Sequence, residues 1–197
     1  MDRQFIFALL TIVSGSFVLT DCLAVPECMS GLCLRGSLHD LPTEAQVKRL
    51  IGSSRDSKPS MPHRKSSCLN VATSKHKKVY AHLTYINVES KWRLISITVA
   101  SHRLCNNPET LSVDYELTTE KSIGLGSRID NIIAAYGKPT YLLDSPSREL
   151  ISSYFPDAAE RDAYTIMQYV SGGDDLLTTR FFLLRGLVVG IDISADE

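Results

Sequence analysis

Residues 122–140 read SIGLGSRIDNIIAAYGKPT, and the fold turns on whether this stretch is a phosphate loop or a capped helix. A phosphate-binding loop needs G-x-x-x-x-G-K-[ST], so that successive backbone N–H groups wrap the anion. Here Gly137-Lys138 runs into Pro139, which supplies neither a hydroxyl nor an N–H, and Ile132 stands where the first glycine belongs. The dinucleotide pattern G-x-G-x-x-G fits Gly124 and Gly126 but fails at Ile129, and no apolar strand immediately precedes it. The helical reading fits throughout. Ser127 can cap the helix, with Asp130 three residues on as a weaker capping box. Ile129, Ile132, Ile133 and Tyr136 then share one face. Gly137 suits a left-handed stop and Pro139 blocks continuation. The stretch is expected to be an amphipathic helix of about two to three turns, burying its isoleucines against a sheet.

Working outward, the same logic applies upstream. Thr43-x-x-Gln46 is a capping box, Val47, Leu50 and Ile51 line one face, and Gly52 ends the helix. Residues 53–67, SSRDSKPSMPHRKSS, are polar and carry Pro59 and Pro62, which predicts an exposed loop. VYAHLTYINV (79–88) and RLISITV (93–99) read as strands joined by the turn ESK. Past the opening stretch lies a long connection, residues 144–163. YTIMQYV (164–170), LTTRFFLL (177–184) and LVVGIDI (187–193) then read as further strands, with turns at SGGDD and at Arg185-Gly186. Gly52 aligns with Gly137, and Ile95, Ile97 and Val99 with Val189, Ile191 and Ile193. The predicted class is therefore α+β: two tandem helix-plus-antiparallel-β-meander repeats, residues 25–110 and 111–197, forming one sheet with the helices packed on one face. Neither unit buries enough alone. Together, as about 170 mature residues, they would bury roughly 70% of their unfolded surface.

The N-terminus is set apart. Phe5 to Leu19 is an apolar run of 15 residues, short for a membrane span and suited to a signal-peptide core. Residues 1–24 are read as a signal peptide, with Cys22-Leu23-Ala24 as the cleavage site; an uncleaved anchor is the alternative. Leu19-Thr20-Asp21-Cys22 also resembles the bacterial lipobox, which makes Cys22 a lipidation candidate, although Asp21 departs from that pattern. Without Cys22, Cys28, Cys33, Cys68 and Cys105 remain as disulfide candidates. An even number in an oxidising compartment suggests two bonds. Three pairings are open, of which Cys28–Cys33 with Cys68–Cys105 is the most local. No C-x-x-C occurs, so no metal is expected.

Charge is unevenly spread. From Lys48 to Arg103 there are 12 Lys or Arg against two acids; from Leu104 onward there are 15 acids against seven bases. The basic half offers a contact for an anionic membrane surface or for the acidic face of a partner, the plainer reading being solvated loops. Its basic residues in Ser/Pro-rich segments have no interleaved aromatics, and the chain reads as exported, which argues against nucleic acid. No G-x-S-x-G elbow and no H-E-x-x-H occurs, and the five histidines are scattered. A His63–Cys68 pair reads as a loop histidine beside a disulfide cysteine, and Asp174-Asp175 as part of a hairpin turn. No catalytic residue and no cofactor is expected. Trp92, the single tryptophan, is the candidate partner contact, or else a cover for the sheet edge.

The motif carried by Gly124, Gly126, Ile132, Tyr136, Gly137 and Pro139 resembles that of the SmpA/OmlA, or BamE-like, small outer-membrane assembly lipoproteins. Tandem copies of that unit look like the β-lactamase inhibitor protein fold. The first copy keeps Gly36, Val47, Ile51 and Gly52 but has Ser54 in place of the proline. The resemblance implies a non-enzymatic, exported envelope protein, periplasmic or associated with the outer membrane, that binds or scaffolds other proteins. A secreted inhibitor of an extracytoplasmic enzyme is the second expectation.

Overall fold

The computed structural model describes residues 25–34, 37–53, 58–76, 78–155, 163–171 and 176–195. The expected signal peptide, Cys22, Gly36, Ser54 and Asp174-Asp175 lie outside them.

A small hairpin opens the described chain: β1 (Cys28–Met29) pairs with β2 (Leu32–Cys33). Helix α1 (Glu44–Ile51) follows, with the expected capping box at Thr43 and Gln46 and a left-handed Gly52 at its end. Next come β3 (Lys58–Met61), β4 (Arg64–Ala72), β5 (Val79–Val88), β6 (Lys91–Ala100) and β7 (Glu109–Ser112). Helix α2 (Ile129–Tyr136), β8 (Tyr141–Asp144), α3 (Arg148–Tyr154), β9 (Tyr164–Val170), β10 (Leu177–Leu184) and β11 (Leu187–Ala195) complete the order.

Apart from the β1–β2 hairpin, the described strands form one continuous sheet in the order β3-β4-β5-β6-β11-β10-β9-β8, and β7 pairs parallel to β4. The central seam is the antiparallel pair β6–β11, where Ile97 faces Ile193 and Val99 faces Ile191. The expected α+β pair of helix-plus-meander repeats is corrected by this architecture. The chain is predominantly β, its sheet is mixed rather than antiparallel, and the three helices among the described residues are short. The boundary expected at 110/111 falls inside β7, which hydrogen-bonds to β4.

Five local expectations change. Residues 58–61 and 64–67 are strand, not loop, because Lys58–Met61 folds back on β4 across a turn at Pro62 and His63; a proline is tolerated on an edge strand. The connection 144–163 contains α3, whose cap is Ser147 accepting from the Leu150 N–H. At α2 the cap position is Arg128, while the Ser127 hydroxyl accepts from the Gly124 N–H instead. That bond closes the loop onto Gly124 and leaves the helix without a side-chain cap. Ile132 and Tyr136 are buried, but Ile133 is 42% exposed. In α1 Val47 is buried, whereas Leu50 is half exposed.

The helices do not share one face, which corrects the remaining part of the expectation. Strand residues alternate sides, so adjacent residues report opposite faces. Val99, Phe181 and Ile191 join Val47, Ile132 and Tyr136 in the main core. Ala100 and Phe182 instead join Ile151 and Phe155 in a second cluster. Helices α1 and α2 thus cover one face, and α3 covers part of the other. Gly190 permits this docking: a Cβ there would lie 2.5 Å from Cζ of Phe155.

Candidate functional site

Among the described residues the face carrying α3 is only partly covered, and one row of residues crosses it. Register places Cys68 opposite His82, His82 opposite Thr98, and Thr98 opposite Asp192. It continues from Asp192 to Arg180, to Gln168 and to Tyr141. This rung spans β4, β5, β6, β11, β10, β9 and β8. Every member except Tyr141 is wholly or partly withdrawn from solvent. The neighbouring rung is Ser66, Thr84, Ser96, Ser194 and Thr178. Alternation explains the pattern: the oily residues between these positions are spent on the main core.

The rung is fastened at its middle. Asp192 Oδ1 accepts from the Thr98 hydroxyl at 2.8 Å and from the Ser96 hydroxyl at 3.4 Å. Its Oδ2 accepts from Arg180 Nη1 at 3.2 Å. Arg180 also donates from Nε to Gln168 Oε1 at 3.3 Å and from Nη1 to the Tyr154 hydroxyl at 3.1 Å. Tyr154 lies on α3 and packs against Phe182 with ring centroids 4.6 Å apart. Arg180 therefore ties α3 to the sheet while neutralising Asp192, the one buried acid among the described residues. Burial pushes the Asp192 carboxyl above its ordinary range, against the lowering pull of Thr98, Arg180 and Ser96. Burial also pushes the His82 imidazole below its ordinary 6.5, so it is uncharged at neutral pH.

Trp92 stands elsewhere. It follows the β5–β6 turn, where Glu89 and Ser90 both take positive φ, and it is partly buried against the main core. The Lys65 ammonium sits 4.4 Å from its ring centroid and pairs with Glu44 of α1. This half-buried stack pins the first turn of α1 to β4 and β6. Part of the basic half is spent inside the fold in the same way: Lys48 pairs with Glu44, and Arg93 Nη1 donates to the Leu41 carbonyl. Lys75, Lys78 and Lys91 are exposed.

All four expected cysteines are paired, Cys28 with Cys33 and Cys68 with Cys105. The Cys68 thiol is thus no nucleophile, and the turn residue His63 gives its carbonyl to the Asn87 N–H. The second bond ties the 101–107 segment to the open face beside the rung. Disulfides belong to an oxidising, exported compartment, and among the described residues no helix is long and apolar enough to cross a membrane.

A second polar cluster lies at one end of the sheet. Glu116 accepts from the Ser74 hydroxyl at 2.7 Å, the Lys75 N–H at 2.6 Å and the Thr73 hydroxyl at 3.0 Å. Burial pushes its carboxyl up, but these donors and nearby His76 outweigh that and hold it below its ordinary value. The adjoining cleft, lined by His76, Thr118, Ser122 and Ser127 among others, encloses about 70 Å³.

Sequence reasoning found the disulfide cysteines but missed the rung. Its one signal was the alternation of Asp192 with Ile191 and Ile193. Nothing local linked Asp192 to Thr98 or Arg180, which lie 94 and 12 residues away. Compared with protein-family models, with curated proteins and with solved structures, the chain matches none.

Proposed function

We propose that this chain is a non-enzymatic, exported envelope protein that binds another protein through the open polar face of its sheet. The observation that supports this most is the cross-sheet rung itself. Its charged members are satisfied by each other, so the face presents half-exposed polar groups held in fixed positions. Preorganised groups lose little entropy on docking, which favours recognition. Reaction chemistry would need an activated base or nucleophile in a cleft. Here Asp192 is locked by three donors, and the cross-strand neighbours of His82 are Thr98, whose hydroxyl is committed to Asp192, and Cys68, whose sulfur is held in a disulfide.

The test is affinity capture from an envelope extract of the native host, using the oxidised chain. Thr84→Arg and Ser96→Arg place bulky charges on the open face, and Asp130→Arg serves as a control on exposed α2. The expected result is a captured protein lost with either face variant and kept with the control. Capture indifferent to both face variants would count against the reading, as would turnover of any substrate that depends on His82.

A further inference from the structure

Strand β8 is the outer edge of the sheet and it is oily. Tyr141, Leu142 and Leu143 are 58%, 53% and 40% exposed. Exposed apolar edges are uncommon because their free N–H and C=O groups template further pairing. The hydrogen-bond parity of this edge follows from one contact. Ser145 N–H donates to the Tyr164 carbonyl, and Tyr141 and Leu143 occupy the same parity against Gln168 and Ile166. Those residues spend their backbone groups on β9. Leu142 and Asp144 therefore turn theirs outward.

We infer that β8 pairs antiparallel with β8 of a second copy of this chain, about a two-fold axis at Leu142. The strand is self-complementary in that register. Leu142 exchanges both backbone bonds with its own counterpart. Tyr141 lies opposite Leu143 of the second copy, so the apolar residues cover each other. Asp144 lies opposite Thr140, with the exposed Lys138 of the second copy on the diagonal, which is the favourable charge arrangement. Pro139 and Pro146 bracket the strand and lack N–H groups, which confines pairing to this short segment and fixes the register. An axis normal to the sheet puts both polar rungs on the same side of the dimer. The shared edge is short, so the dimer is weak, with Kd on the order of 10–1,000 μM. This inference stands apart from the proposed partner binding, since either surface can be lost without the other.

The test is sedimentation equilibrium of the full oxidised chain from about 10 μM to 1 mM, the range that brackets such a constant. Cys22→Ser is placed in every protein so that any added thiol is the only free one. The expected result is concentration-dependent dimerisation, abolished by Leu142→Lys, which sets two like charges on the axis. A second readout is air oxidation of single-cysteine variants. Opposed residues in a hydrogen-bonded pair lie about 5.5 Å apart at Cα, within disulfide range. Leu142→Cys should cross-link to itself at least tenfold faster than Tyr141→Cys or Leu143→Cys, each of which faces a different residue. A chain that stays monomeric at 1 mM, a dimer indifferent to Leu142→Lys, or equal cross-linking at all three positions would overturn the inference. Far-UV circular dichroism checks that each variant is folded.

Discussion

Gly190 is the residue at which the sheet admits α3. Its missing side chain leaves the space that the Phe155 ring fills. Gly190→Ala should destabilise the chain by about 1–3 kcal/mol, the usual range for overpacking, read as a lowered urea midpoint with an unchanged slope. Arg180 carries a different lesson. It offsets a fully buried carboxylate, and losing one partner of a buried pair costs about 3–5 kcal/mol. Arg180→Met should therefore weaken the fold at pH 7. The sign of its pH dependence is set by Asp192, whose folded pKa already lies above 3.8 and rises further without the guanidinium. The folded state then binds a proton that the unfolded state does not. Stability of the variant should recover as pH falls from 7 toward about 4. A deficit that grows on acidification, measured by denaturant unfolding across that range, would contradict this.

At the scale of elements, the two disulfides differ in reach. Cys68–Cys105 closes a separation of 37 residues, and Cys28–Cys33 one of only five. Chain-entropy arguments give about 3–4 kcal/mol for the longer loop and about 2 for the shorter. Replacing Cys68 and Cys105 with alanine should thus lower the unfolding temperature more than replacing Cys28 and Cys33. It should also speed amide exchange in residues 101–107, the segment that the longer bond holds on the open face. The elements that were readable from sequence are those whose signals are local. The capping box of α1, the alternation in β6 and β11 and the β-branched and aromatic run of β5 needed nothing beyond a window of residues. β3, β7 and β8 were missed because each is only four residues long, too short for alternation to register, and each is defined by its neighbour. α3 was hidden within a polar stretch, and the Ser127 hydroxyl was drawn to Gly124 rather than to α2 by a turn that no pattern announces.

At the scale of the molecule, the decisive event is the pairing of β6 with β11. It merges both halves of the chain into one sheet, with the main core on one side and α3 with the polar rung on the other. The rung exists only because of that seam: Thr98 reaches Asp192 across it. A sequence displays each of these residues but not the register that brings them together, which explains why the disulfide cysteines were visible beforehand and the candidate site was not. The seam is tested most directly by native-state amide hydrogen exchange read by mass spectrometry. Residues 94–100 and 188–194 should be the most protected in the chain and should lose protection together as denaturant is added. Independent loss of protection in residues 25–110 and 111–195, with the seam strands exchanging at different denaturant concentrations, would contradict a single continuous sheet.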